Sequence, residues 1–368
     1  MVNRLGVERK ILGEIADLSA AGLPVAELFR ELTGLLRSGL GFDGGCFHGA
    51  DPVTGFLTST VSEGLDARGF EQAAYLEFWS ADSTRFVAIR ESGLLAQSVV
   101  RANHGRPERS VRYRDLLAEL GYVDELRVNF DVQGGRWGSA AFMRERGQGP
   151  FRARDVQLMA RAARLVGAAL RDSHRPAQAG DGVGCGDGAE WTAPAVVILS
   201  AGGGLVSADR QGQALLAELT GDDRFAGDVP SGLAAVAELA RASAVGRRQA
   251  GAQARILTPG GRWVILHASA LEGRADGQIA IVATPASPAQ NLPVALMAHG
   301  LTAREQEVAL GAVRGDSTRT LARRLSLSEA TVQDHLKKIF DKTGVRSRRA
   351  LVALLMASHL DTVDLPPG

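Results

Sequence analysis

Cysteine is nearly absent from this chain. Cys46 and Cys185 are the two thiols in 368 residues, and neither belongs to a C-x-x-C pair or to a histidine-bearing metal motif. That argues against a disulfide-stapled secreted module and a structural zinc module, so no metal and no cofactor is expected and a reducing cytoplasm is the expected setting. Long apolar runs are lacking as well. No stretch of about 18 apolar residues occurs, and the opening MVNRLGVERKILGEI has no continuous apolar segment, so neither a membrane span nor a secretory leader is expected. An excess of one charge is also missing: 42 Lys and Arg against 41 Asp and Glu leave a formal net charge of +1, so any basic footprint for a polyanion must be local.

Catalytic constellations are equally scarce. No nucleophile, base and orienting acid occur together, which argues against an enzyme. Cys46 and His48 are two apart on a strand and share a face, but no third group is apparent to orient them, and inert packing is the expectation. His267, in WVILHASAL, has no second ligand for a haem. The glycine runs at 202 to 204 and 134 to 135 lack phosphate-loop spacing and read as turns. A phosphoacceptor receiver domain is excluded by the lack of an acidic pair after a first strand. Aromatics make up 5% of the chain, yet Tyr75, Phe78, Trp79, Phe86, Phe130 and Trp137 gather in its first part. They are the candidate set for lining a ligand pocket, although such sets more often build ordinary core and no convergent charged group is visible beside them.

What is present, 45% hydrophobic residues with 23% charged, suits several buried cores. Composition breaks at 173 to 190, SHRPAQAGDGVGCGDGAE, and at 284 to 294, TPASPAQNLPV, where three prolines argue against a helix or a central strand. The chain therefore divides into 1 to 172, 191 to 283 and 295 to 368, with linkers at 173 to 190 and 284 to 294. In the first segment, Val7, Ile11, Ile15 and Leu18 and then Leu28, Leu32, Leu35 and Leu36 recur at helical spacing. Strand-like runs follow at GGCFHGAD, FLTSTV, LRVNFDV and WGSAAFMRE, the last two joined by a hairpin through Gln133 to Arg136, and a helix closes the segment from 153 to 171. The apolar stripes of the helices at 5 to 19 and 153 to 171 either pair subunits or cover the sheet. The middle segment reads as strand, Gly202 to Gly204 turn, short strand and helix, then three strands from QARILTPGGRWVILHASAL to GQIAIVAT.

The C-terminal segment is the most informative. Thr302 and Glu305 form a capping box ahead of Val308, Leu310, Ala312 and Val313; Ser317 and Ser328 cap a second and a third helix, Gly344 ends the third, and Ser347 starts a fourth. On the third helix Val332, Leu336, Ile339 and Phe340 form one buried face. Gln333, Asp334 and Lys337 point away from it, flanked by Thr331, His335 and Lys338, an arrangement that would set the first three at base edges and the others at phosphates. The local charge agrees, because Lys337, Lys338, Lys342, Arg346, Arg348 and Arg349 outnumber Glu329, Asp334 and Asp341.

The segment LTAREQEVALGAVRGDSTRTLARRLSLSEATVQDHLKKIFDKTGVRSRRALVALL resembles the LuxR-type helix-turn-helix across all four helices. Leu301, Thr302, Arg304, Glu305, Glu307 and Val308 match the family's opening motif. Ser328, Thr331, Val332 and His335 match the start of its recognition helix, and Gly344, Val345 and Arg348 its close. Gln333 stands where lysine is common and Asp334 adds negative charge, which lowers phosphate attraction while leaving base readout. Thr320 stands where glutamate is frequent, and loss of a capping interaction is expected. The resemblance implies pairing of two copies through the fourth helix, with Leu351, Val352, Leu355 and Met356 as the candidate dimerisation residues.

The first segment, from FDGGCFHGADP through RDLLAELGYVDELRVNF to RWGSAAFMRERGQGPFRARDVQLMARAARLVGAAL, resembles a GAF domain, and the strand and helix order of the second resembles a PAS domain. The expected fold is therefore multidomain: an α+β GAF-like domain, an α+β PAS-like domain and an all-α four-helix LuxR-type helix-turn-helix domain. The expected function is that of a cytoplasmic bacterial homodimer, a sequence-specific transcription regulator that binds double-stranded DNA at a palindromic operator. Its first two domains would control the third by sensing a small-molecule effector or a protein, with RNA polymerase as a further partner if it activates. The alternative is a protein-binding scaffold or anti-regulator with a vestigial DNA-binding domain.

Overall fold

The computed structural model describes residues 4–65, 69–175, 194–220, 229–245, 252–259, 262–273 and 277–356. Two compact units are present. The first carries two five-stranded sheets, the second a bundle of helices near the C-terminus.

The first sheet follows two helices, α1 (Arg4–Ala20) and α2 (Val25–Leu40). It consists of β1 (Gly44–Ala50), β2 (Leu57–Glu63), β3 (Ala96–Ser98), β4 (Tyr122–Val132) and β5 (Gly135–Glu145), in the order β2-β1-β5-β4-β3. Between β2 and β4 lie α3 (Phe70–Trp79), α4 (Phe86–Glu91) and α5 (Val99–Ala102), and α6 (Ala153–Ser173) closes the segment. The β4–β5 hairpin turns on Gln133 and Gly134, both at positive φ (50° and 84°), the backbone that two-residue hairpin loops favour. Alternation along the strands gives the sheet two buried faces. One carries Phe47, which stacks on Phe29 of α2 at 5.0 Å between ring centroids. On that face α6 rides close: an added Cβ at Gly167 would fall 3.0 Å from the Phe130 carbonyl oxygen. Leu158, Met159, Ala162, Ala163, Val166 and Leu170 of α6 are buried, so its stripe is used within the chain.

The second sheet repeats the first in order. Its strands are β6 (Ala195–Leu199), β7 (Leu205–Ala208), β8 (Ala252–Leu257), β9 (Trp263–Ala270) and β10 (Ile279–Pro285), arranged β7-β6-β10-β9-β8. The helices α7 (Arg210–Thr220) and α8 (Ser231–Ala244) fall between β7 and β8. Val197, Ile256, Leu266 and Ile281 from the strands meet Leu215, Leu233 and Val236 from the helices in its core. Phe56, from the β1–β2 connection of the first sheet, is also part of that core. At Gly232 an added Cβ would lie 2.7 Å from the Thr58 carbonyl oxygen, so α8 rests on β2 as well as on its own sheet. An ion pair bridges the same seam, Arg255 Nη2 on β8 reaching Asp51 Oδ2 at 3.3 Å, with the Asp51 side chain 1% exposed.

The second unit contains α9 (Pro288–Ala298), α10 (Ala303–Val313), α11 (Thr318–Leu325), α12 (Glu329–Thr343) and α13 (Arg348–Met356). The helix α9 corrects the expectation that prolines keep 284 to 294 free of helix. Pro288 occupies the first turn, where its missing N–H has no partner to lose, and Ser287 with Gln290 forms a full capping box. Pro293 inside the helix forgoes one backbone hydrogen bond, while Leu292 and Leu296 enter the core shared by α10 to α13. Most of the expected linker at 173 to 190 lies outside the described residues.

Candidate nucleic-acid interface and buried cavity

The caps read from the sequence hold the C-terminal helices. Thr302 and Glu305 make the reciprocal capping box of α10, and Ser317 and Ser328 accept from the Thr320 and Thr331 amides at the starts of α11 and α12. Thr320 keeps a local contact of its own, Oγ1 to Ser317 Oγ at 2.9 Å, so its side chain still serves the N-terminus of α11. The turn between α11 and α12 places Ser326 in the left-handed region (φ 54°, ψ 45°), and Gly344 ends α12 at φ 73°. Val332, Leu336 and Ile339 are buried and Phe340 is half-buried against the same core.

This frame leaves Gln333, Asp334, Lys337 and Lys338 exposed on α12, with Thr331 and His335 half-buried beside them. Gln333 Nε2 donates to Thr318 Oγ1 at 3.4 Å, tying α12 to the start of α11. Two of the six cations assigned to the basic footprint do other work. Lys342 Nζ reaches Glu305 at 2.6 Å and the Gly300 carbonyl at 3.1 Å, and Arg348 donates to the Asp316 carbonyl. Burial pushes the Glu305 carboxyl up, but the bonds from Lys342 and Thr302 override it and hold the group below the ordinary carboxylate range. Arg319 and Arg323, which motif reading passed over, are exposed on α11. On α13, Leu351 and Leu355 belong to the unit's own core, and Val352 and Met356 are half-buried. Of the four residues assigned to pairing, only the last two keep a face for a partner.

The other face of the first sheet opens on a cavity of about 80 Å³. Its floor is Cys46, His48 and Thr60, α3 contributes Glu77 and Phe78, and Ser231 and Ala235 of α8 close it from the second sheet. Of the six aromatic candidates, Phe78 and Phe86 line it. Phe130 stacks with Phe47 on the opposite face at 6.0 Å. Trp137 is buried away from the cavity, Trp79 packs beside Phe78 at 6.3 Å, and Tyr75 is 43% exposed.

The expectation that no charged groups converge here is corrected. Arg112 grips Glu125 with Nε at 2.5 Å and Nη2 at 2.9 Å. Arg127 reaches Glu125 at 3.3 Å and Glu77 at 2.5 Å, and its guanidinium lies 3.8 Å over the Phe86 ring. Burial would push the Glu125 carboxyl up, yet the two arginines hold it low. Two cations thus face two anions in a buried layer. The cysteine and histidine also have the third group that seemed missing: Cys46 Sγ is 3.2 Å from His48 Nε2, and His48 Nδ1 is 2.9 Å from Thr60 Oγ1. The thiol nonetheless stays protonated. Burial, then Glu125, pushes Cys46 up to about 12, and burial, then Arg127 and Arg112, lowers His48 to about 3. Neither group carries charge near neutrality, so this pair is not an activated nucleophile. His267, the histidine weighed as a haem ligand, is exposed on β9. Among the described residues, no group of three or more His, Cys, Asp or Glu could hold a metal ion, and no helix is long and apolar enough to cross a membrane.

Residues 299–355 match the family model described as bacterial regulatory proteins, luxR family, and that segment is a DNA-binding, transcription-regulating helix-turn-helix domain of the LuxR type. No curated protein matches the chain. Among solved structures, it is similar to a phage VqmA–DPO complex at 16% identity, covering 48% of this chain and 85% of that one with a TM-score of 0.25. It is also similar to a Vibrio cholerae VqmA dimer in the absence of target DNA, at 19% identity, 46% and 84% coverage and a TM-score of 0.18.

Proposed function

We propose that this chain is a sequence-specific transcription regulator that works in the cytoplasm as a homodimer. In this reading, segment 295 to 368 reads double-stranded DNA at a palindromic operator, while segments 1 to 172 and 191 to 283 control it by sensing a small molecule. The observation that carries the reading is α12, seated by two capped helices on a closed core with Gln333, Asp334, Lys337 and Lys338 left exposed. An α-helix of this kind fits the major groove, where Gln333 would meet adenine and Asp334 a cytosine amino group. Lys338, Thr331 and His335 flank these positions toward the phosphates, and Val352 with Met356 offers the face for pairing two copies.

The test is selection of the purified full chain against random duplexes across a salt series, with Gln333→Ala and Lys338→Ala in parallel. Enrichment of a palindrome that Gln333→Ala loses or relaxes is the expected result. Lys338→Ala is expected to weaken all sequences alike and to reduce the salt slope by about 1. No enrichment at any salt would refute the reading and leave the chain as a protein-binding scaffold.

A further inference from the structure

The cavity in the first sheet has a composition that selects by charge and a wall that belongs to the neighbouring sheet. We infer that it binds a small, uncharged, mostly apolar molecule bearing one acceptor oxygen, such as a short-chain ketone or amide, held between the β1–β5 face and α8. This rests on the proposed sensing role and specifies the class of ligand and where it is held.

Three observations converge. The first is charge. Arg112 and Arg127 are matched by Glu125 and Glu77 within the buried layer, and Cys46 and His48 are neutral, so a ligand with its own charge would enter unpaired. An unpaired charge in such a site carries a large desolvation penalty. The second is an unmet donor. Arg127 Nε is buried without an acceptor among the described residues, although the side chain is otherwise fully engaged. A buried N–H left so is costly, and a carbonyl oxygen would satisfy it without adding charge. The third is size. At about 80 Å³ the cavity is about half the roughly 150 Å³ space that takes benzene in an engineered protein core, so a body of about three to four heavy atoms fits.

Ser231 and Ala235 make the occupant a contact between sheets. They sit on α8, which also touches the Thr58 carbonyl of β2 at Gly232 and buries Val236 and Leu233 in the second core. A bound molecule therefore bears on the helix that organises the other sheet.

Three matched probes of about four heavy atoms each test this on the full chain: acetone, acetate and isopropylammonium, titrated against protein with 13C-labelled methionine and alanine methyls. The expected result is saturable shifts of the Met143 and Ala235 methyls with acetone at a millimolar dissociation constant, and none with either ion at the same concentrations. Ala235→Leu and, independently, Ala74→Leu fill the space and are expected to abolish the acetone shifts at Met143; retained operator binding or an unchanged Tm verifies that each is folded. Equal or tighter binding of acetate overturns the charge argument. Shifts at Met143 without Ala235 overturn the role of α8, and no saturable shift with any probe overturns the site. Saturation at both methyls with no change in operator affinity leaves the binding class standing and refutes the sensing role instead.

Discussion

Glu305 joins the start of α10 to the end of α12, and its removal has a size that can be worked out. Its carboxylate accepts from the Thr302 backbone N–H at 2.7 Å and from Lys342 Nζ at 2.6 Å, and the side chain is 5% exposed. Glu305→Ala unmakes half of a capping box, a loss of about 1 kcal/mol. The ion pair adds less than its distance suggests, because the Lys342 side chain is 35% exposed and regains water, so about 0.5 to 1 kcal/mol is the discounted figure. The sum is about 1.5 to 2 kcal/mol, or roughly 10- to 30-fold in an opening equilibrium. Glu305→Gln keeps an acceptor for Thr302 but no charge, and is expected to lose several-fold only. The four tryptophans lie at 79, 137, 191 and 263, outside α9 to α13, so intrinsic fluorescence does not report on this bundle. Amide hydrogen exchange of α10 and α12 in the full chain does. Since the folded-state carboxyl titrates below its ordinary range, the stabilisation is complete above the unfolded value near ~4.3 and is lost as pH falls through the folded one. Parent and Glu305→Gln should therefore converge only in that acid window. Equal protection loss in the Ala and Gln variants, or less than a twofold loss in both, would refute the reasoning.

Ser326 holds a left-handed backbone that glycine adopts without penalty. Ser326→Gly is expected to stabilise the bundle by about 0.5 to 1 kcal/mol with operator affinity unchanged, and a lower exchange protection would contradict it. Gly232→Ala sets a methyl 2.7 Å from a backbone oxygen that has no rotamer to yield, so α8 must lift from β2 at a cost of about 1 to 3 kcal/mol. Thermal unfolding reads it, and an unchanged Tm would mean the contact gives way freely.

The C-terminal helices were legible because their information is local. Ser317, Ser328, Thr302 with Glu305 and Gly344 act within three or four residues of the backbone they cap, and the 3.6-residue period of Val332, Leu336 and Ile339 needs no partner to be seen. The strands β1, β2, β4 and β5 and all five strands of the second sheet were legible for the same reason, whereas β3, three residues long, carries too short a pattern to read. The helix α9 was not, because a proline count weighs the lost N–H and does not weigh the burial of Leu292 and Leu296. The charged layer was hidden by distance: Glu125 and Arg127 read as ordinary strand residues until the fold brings in Arg112 from 13 positions before Glu125 and Glu77 from 50 positions before Arg127. Thr60, twelve positions from His48, is orienting only through β1–β2 register, in which the two residues face each other. Aromatic clustering found Phe78 and Phe86, but Phe130 sits on the other side of the pleat, where clustering along the chain carries no information.

Phe56 is carried by one sheet and buried in the core of the other. Cutting the gene between the two sheets would therefore strand an aromatic ring in water on one fragment and leave a vacancy in the other, with the mouth of the cavity laid open where α8 had been. The two sheets therefore make a single cassette for engineering, and any exchange of one of them must bring along the residue that plugs into its neighbour.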